Sequence, residues 1–229
     1  MPDHKTIYGE YADNYNALVS REDHTGNILR AIRKVIPIDG IDVVELGAGT
    51  GRLTCLLTPH VKSIKALDSS DHMLGIARDR LSAAGWHNWQ TQVADHRSLP
   101  VDSNSADLAL SGWSICYLVD WSNGDWKVDV EKALSEMERV LKPGGTLLII
   151  ETQGTGFESP NPPEHLIEYF RFLKDQGFSS TWFRTDYQFA DLAEAKELTG
   201  FFFGEALASQ TTSTILTECT GLWWKKKAV

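Results

Sequence analysis

The chain has 229 residues, 42% hydrophobic and 23% charged, enough to bury the core of one α/β domain. Its formal net charge of -9 argues against bulk DNA or RNA as a partner, because affinity for phosphates needs a basic surface; the Lys225-Lys226-Lys227 run reads as a solvated tail. Cys55, Cys116 and Cys219 lie too far apart for a local zinc or iron–sulfur motif and suit a reducing cytoplasm, and no run nears the roughly eighteen apolar residues of a membrane-spanning helix.

In chain order, strands and helices alternate. Residues 8–36 read as two helical parts, with Tyr11, Tyr15 and Leu18 and then Ile28, Ile32 and Val35 at helical spacing, stopped by Pro37. Residues 41–46 form a first strand, and a helix over 53–57 follows a glycine loop. A second strand over 61–67 ends at Asp68. Ser69 or Ser70 then caps a helix whose apolar stripe is Leu74, Ala77, Leu81 and Ala84, ended by Gly85. A third strand, 89–94, ends at Asp95, and a fourth covers 106–111. Val130, Leu134, Met137 and Leu141 mark an amphipathic helix, and Lys142-Pro143-Gly144-Gly145 turns into a fifth strand over 146–151.

Residues 153–163, rich in Gly, Pro and Asn, read as a loop. A helix over 164–176, a strand over 180–189, a helix over 191–203 and a last strand over 214–224 complete the pattern. Seven mostly apolar strands separated by helices predict a doubly wound, Rossmann-like α/β fold. Its sheet is mostly parallel and seven-stranded, with helices on both faces. Ligands bind such sheets beyond the carboxyl ends of the strands, where Glu45, Asp68, Asp95 and Ser111 all fall.

The segment Val43-Val44-Glu45-Leu46-Gly47-Ala48-Gly49-Thr50-Gly51-Arg52 carries the most information. Glycines permit a tight turn and close approach of a ligand to the main chain, and the helix after them points amide N–H groups at an anionic group. The spacing is G-x-G-x-G; dinucleotide folds prefer G-x-G-x-x-G, and position 52 is Arg52. Asp68 lies about twenty residues beyond the loop, where a carboxylate accepts from a ribose diol in any adenosine-containing ligand; it also stands where a helix cap begins. NAD stays open as the runner-up ligand.

The glycine loop resembles motif I of the class I S-adenosylmethionine (SAM) methyltransferases. Three further segments resemble the same family in the right order: Ala94-Asp95-His96-Arg97-Ser98-Leu99-Pro100, the strand opening at Asp107, and Arg139-Val140-Leu141-Lys142-Pro143-Gly144-Gly145. Together they resemble its type 11 group over residues 43–150. The resemblance implies transfer of the sulfonium methyl group to a small-molecule O, N or C nucleophile, with S-adenosylhomocysteine (SAH) as product. It implies a single domain, 1–229: a helical cover (1–40), a SAM-binding core (41–151) and sheet-completing, substrate-side elements (152–229). The implied cofactor-binding residues are Glu45, Gly47, Ala48, Gly49, Gly51, Arg52, Asp68, Ser69, Met73, Asp95, His96, Ser111 and Gly112. Asp95 would take the adenine amine, and His96 either bonds adenine or substrate or sits in a solvated loop.

Trp113 and Tyr117 either line the methyl-transfer pocket or pack in the core. Tyr8, Tyr11 and Tyr15 either cover the cofactor or pack on the sheet; Tyr11 and Tyr15 are taken as pocket candidates. No catalytic residue is assigned, and the histidines show no metal-ligand spacing. Trp121, Trp126, Phe157, Trp182 and Phe183 predict an aromatic-walled pocket for a small, neutral or apolar acceptor. A SAM-binding protein without transferase activity, a sensor or assembly partner, would keep the same loop, Asp68 and Asp95.

Overall fold

The computed structural model describes residues 11–122 and 124–229; Tyr8 lies outside them. Seven strands form one sheet in the order β3-β2-β1-β4-β5-β9-β6. They are β1 (Asp42–Leu46), β2 (Ser63–Asp68), β3 (Trp89–Val93), β4 (Ala106–Gly112), β5 (Leu141–Thr155), β6 (Ser179–Arg184) and β9 (Glu218–Lys226). Strands β1 to β5 pair in parallel, and β9 runs antiparallel between β5 and β6.

Alternation explains why both faces are covered. Successive strand side chains point to opposite faces. Val43, Leu108, Leu110, Leu148 and Ile150 join one buried cluster with Ile28, Ile32, Leu53 and Leu57. Val44, Ala109, Leu147 and Ile149 join the other with Val130, Leu134, Met137, Tyr169 and Leu173. The first cluster draws on helices α2 (Asn27–Val35) and α3 (Arg52–Leu57), the second on α6 (Trp126–Val140) and α7 (Ile167–Asp175). An uninterrupted apolar strand buried on both faces is the consequence.

The chain runs from β1 outward through β2 to β3, then returns to place β4 on the other side of β1. That reversal opens a crevice above the carboxyl ends of β1 and β4, where Leu46 lies opposite Ser111.

After β5 the structure departs from the periodic reading. The single strand expected over 180–189 is two: β6, and β7 (Tyr187–Gln188), which pairs with β8 (Ile215–Leu216) in a separate ribbon. The Arg184 guanidinium donates to Asp186 at 2.7 and 2.8 Å, and Asp186 accepts the Glu218 amide at 3.0 Å. This clamp marks the break in both strands, so the last strand also splits. The helix over 191–203 forms as α8 (Leu192–Phe203), with the Asp191 side chain accepting from the Glu194 amide. A further helix, α9 (Glu205–Gln210), follows the turn at Gly204, whose φ is 92°. Leu18 of α1 (Ala12–Val19) packs with Tyr187, Phe189, Leu198 and Leu216 in a small third cluster.

Candidate active site

Two adjoining cavities lie above the carboxyl ends of the strands. The larger, about 440 Å³, is floored by Glu45, Gly47, Ala48 and Gly49 at the end of β1 and bounded by Asp68, Ser69 and Met73 beyond β2. Asp95 and His96 close one side; Gly112 and Trp113 form another. Arg52, Tyr15 and Tyr117 also line it.

The loop geometry follows from its glycines. Gly47, Gly49 and Gly51 have φ of 70°, 54° and 79°, a left-handed conformation that penalises a side chain. A Cβ at Gly47 would fall 1.8 Å from Ser114 Oγ, and one at Gly51 would fall 2.9 Å from Ala77 Cβ. Gly47 therefore admits the loop after β4, and Gly51 admits α4 (Asp71–Ala83). The Gly49 amide donates to Asp68 Oδ2 at 2.9 Å, and the Ser70 amide donates to Oδ1 at 2.8 Å. Asp68 thus fixes the loop and the start of α4 together. Ser70, not Ser69, caps that helix, accepting from the Met73 amide at 3.3 Å.

Burial and ion pairing set the charge of the groups that line the cavity. Glu45 is 2% exposed, and burial pushes its carboxyl up from 4.5 to about 8. Its Oε2 accepts from Thr54 Oγ at 2.6 Å. Asp95 is held down at about 2, chiefly by Arg97, which donates to both of its oxygens at 2.8 and 2.6 Å and also reaches Asp129 at 3.2 Å. His96 Nε2 lies 2.8 Å from Ser114 Oγ, and burial lowers its pKa.

Arg52 stands between the cavities. Its guanidinium lies 3.7 Å from the Trp113 ring centroid, and Nη1 reaches Glu22 at 2.9 Å. Burial works against its charge, and Glu22 together with Tyr187 and Tyr15 raises its pKa on balance. Trp113 adopts φ +48°, a strained conformation for a bulky residue. Tyr15, Arg52, Trp113 and Tyr117 line both spaces, the second being about 220 Å³.

Three expected residues fall elsewhere. Gly51 does not line either cavity; it caps α3 and makes room for Ala77. Ser111 is fully buried within β4, and the next residue, Gly112, lines the cavity instead. Tyr11 is 40% exposed and meets Phe201 edge-on at 5.8 Å. Of the aromatics expected in the substrate wall, Trp121 lines the larger cavity, stacked on Tyr117 at 4.6 Å. Trp126 packs against Tyr169 and Phe172, Phe183 joins the core, and Phe157 and Trp182 are exposed. Hydrophobicity alone did not separate these fates.

Sequence reasoning missed Ser114 and Arg97, although both neighbour assigned residues. It also missed Glu151, which the strand-end rule that picked out Glu45 would have found. Glu22 and Glu218 carry no local signal. Among the described residues no group of three or more His, Cys, Asp or Glu side chains is placed to hold a metal ion, and no helix is long and apolar enough to cross a membrane.

Comparison with known proteins finds similar methyltransferases. The family model described as "Methyltransferase domain" matches residues 44–149. A demethylmenaquinone methyltransferase of Shouchella clausii is 27% identical over 173 residues, covering 74% of this chain and 67% of the relative. One from Clavibacter sepedonicus is 29% identical, covering 68% of this chain and 61% of the relative. The chain thus spans 67% and 61% of the length of these two relatives. In fold, it superposes on a Haemonchus contortus phosphoethanolamine N-methyltransferase, solved with SAH, at TM-score 0.64 and 15% identity, covering 100% of this chain and 61% of that one. Residues 44–149 are thus similar to that methyltransferase family, and the superposition shows a shared fold.

Proposed function

We propose that the protein transfers the methyl group of SAM to a small-molecule acceptor. The observation that carries this reading is the pair of adjoining cavities, one floored by the glycine loop, Glu45 and Asp68, the other reached past Arg52 and Trp113. The residues present fit the cofactor. Buried Glu45 suits an ammonium, and the carboxylate of Asp68 suits a ribose diol. Arg52 Nη2, buried and without a hydrogen-bond partner among the described residues, is a donor for a carboxylate. When bound, SAM supplies a methyl group on a positively charged sulfur.

The chain's own residues do the rest. The loop from Gly47 to Gly49 and Ser69 hold the cofactor, with Met73 and Gly112 shaping its walls. His96 stands beside the adenine position. Asp95 reaches adenine only by sharing oxygens already bonded to Arg97. Tyr15 and Tyr117 align the acceptor and exclude water, which is most of what methyl transfer requires. We read residues 1–40 as cover, 41–151 as cofactor core and 152–229 as substrate-side elements. The three unpaired cysteines suit a reducing cytoplasm.

The two curated relatives bear the name demethylmenaquinone methyltransferase, which supports a small organic acceptor here. The test is transfer of labelled methyl from SAM across a broad panel of small acceptors and bulk RNA. Turnover of a small molecule supports the reading. Transfer to RNA alone overturns it, and tight SAH binding with no turnover of any acceptor favours a non-catalytic SAM-binding protein.

A further inference from the structure

The second cavity holds more charge than its apolar walls call for. Three glutamates from distant parts of the chain line it: Glu22 after α1, Glu151 in β5 and Glu218 at the start of β9. Asp120 adds a fourth carboxyl at the rim, 3.7 Å from His165 Nε2. The guanidinium of Arg52 is already paired with Glu22.

Glu151 and Glu218 are 0% and 2% exposed. Glu151 Oε1 accepts from the Cys116 amide at 3.1 Å and the Tyr169 hydroxyl at 3.3 Å. Glu218 Oε1 accepts from Thr152 Oγ at 2.7 Å. The second oxygen of each is buried with no hydrogen-bond partner among the described residues. Burial pushes both carboxyls up to about 8. An unpartnered buried carboxyl oxygen is costly, and two beside the same cavity require an account. A ligand that brings hydrogen-bond donors and positive charge removes the cost.

We propose that Glu151 and Glu218 receive the protonated head of a primary or secondary amine, so that the methyl acceptor is an amine with an apolar body. This deepens the methyl-transfer reading and rests on it. An ammonium group offers several N–H donors at one point, matching two free carboxyl oxygens. The aromatic faces of Tyr15 and Tyr117 suit a cation, and Leu166, Phe202 and Phe203 receive the body. An anionic acceptor meets four carboxyls. The nitrogen must lose one proton before it can attack: binding of R–NH₃⁺ ionises one of the two carboxyls, whose proton leaves to solvent, and that carboxylate then takes a proton from R–NH₃⁺, giving R–NH₂ and the neutral carboxyl that burial favours. The expectation of a neutral acceptor took no account of these glutamates, because nothing in the sequence brings positions 22, 151 and 218 together.

The test is calorimetric titration of SAH-loaded protein with 2-phenylethylamine, 2-phenylethanol and phenylacetate. The amine should bind at least about tenfold more tightly than the alcohol, and the acid most weakly. Glu218→Gln and Glu151→Gln should each reduce that preference while leaving SAH affinity within about twofold. If one variant fails to fold, the other and the wild-type comparison decide. Equal affinity for amine and alcohol, or no binding of the amine to SAH-loaded protein, overturns the proposal and leaves the methyltransferase reading standing. Failure of the protein to bind SAH overturns both.

Discussion

Arg52 lies across the Trp113 indole, its guanidinium carbon 3.7 Å from the ring centroid, while Nη1 holds Glu22 at 2.9 Å. One side chain from the glycine-loop helix thus fixes the loop after β4 and the end of the N-terminal helical segment. The Glu22 side chain is 2% exposed, so the pair is a buried one. Removing one partner of such a pair leaves an uncompensated charge.

Arg52→Met should therefore destabilise the protein by about 3–5 kcal/mol, read from urea midpoints. The double variant Glu22→Leu, Arg52→Met should recover part of that loss, because no charge is left stranded. A loss in the single variant below about 1 kcal/mol would contradict a buried pair.

Asp68→Ala should weaken SAH binding by about 1–3 kcal/mol. The carboxylate accepts from the Gly49 and Ser70 amides, so the loss combines a missing ribose acceptor with a looser loop. Unchanged affinity in a folded variant would place the ribose elsewhere.

The pH dependence of stability has a definite sign. Glu45, Glu151 and Glu218 rise from 4.5 to about 8 on folding. The folded state then holds protons that the unfolded state has released. Their contribution is fully present below about pH 4.5 and lost as pH rises toward 8. His96, lowered by burial, acts in the opposite sense below its usual 6.5, one group against three. Chemical-denaturation midpoints of ligand-free protein should fall between pH 5.5 and pH 8; a steady rise would contradict the buried neutral carboxyls.

At pH 7 a neutral Glu45 must ionise to meet the ammonium of SAH. Binding should therefore release protons, seen as different calorimetric enthalpies in phosphate and Tris. Glu45→Gln should abolish most of that difference. Equal enthalpies in both buffers for the wild type would separate Glu45 from the ligand's ammonium.

The parts of the fold legible in sequence were those set by local rules. Glycines at 47, 49 and 51 announced a tight turn, and Ser69 or Ser70 a helix cap, which the structure places at Ser70. Alternating buried strands announced helices on both faces. The Arg184–Asp186 clamp was not legible, since aromatics on both sides of it, at Trp182 and Phe183 and at Tyr187 and Phe189, read as one continuous strand. Nor was the acid cluster, which depends on β9 inserting between β5 and β6 and bringing Glu218 near Thr152. Ser111 is buried in β4 while Gly112 lines the cavity, because position at a strand end does not say which of two neighbours faces the crevice.

The most direct test of the central claim is calorimetric titration of the purified protein with SAH, with NADH as the parallel ligand. Micromolar binding of SAH and none of NADH is the expected result. Preference for NADH would mean that the G-x-G-x-G loop serves a dinucleotide, and the assignments of Glu45, Asp68 and Asp95 would fall with it.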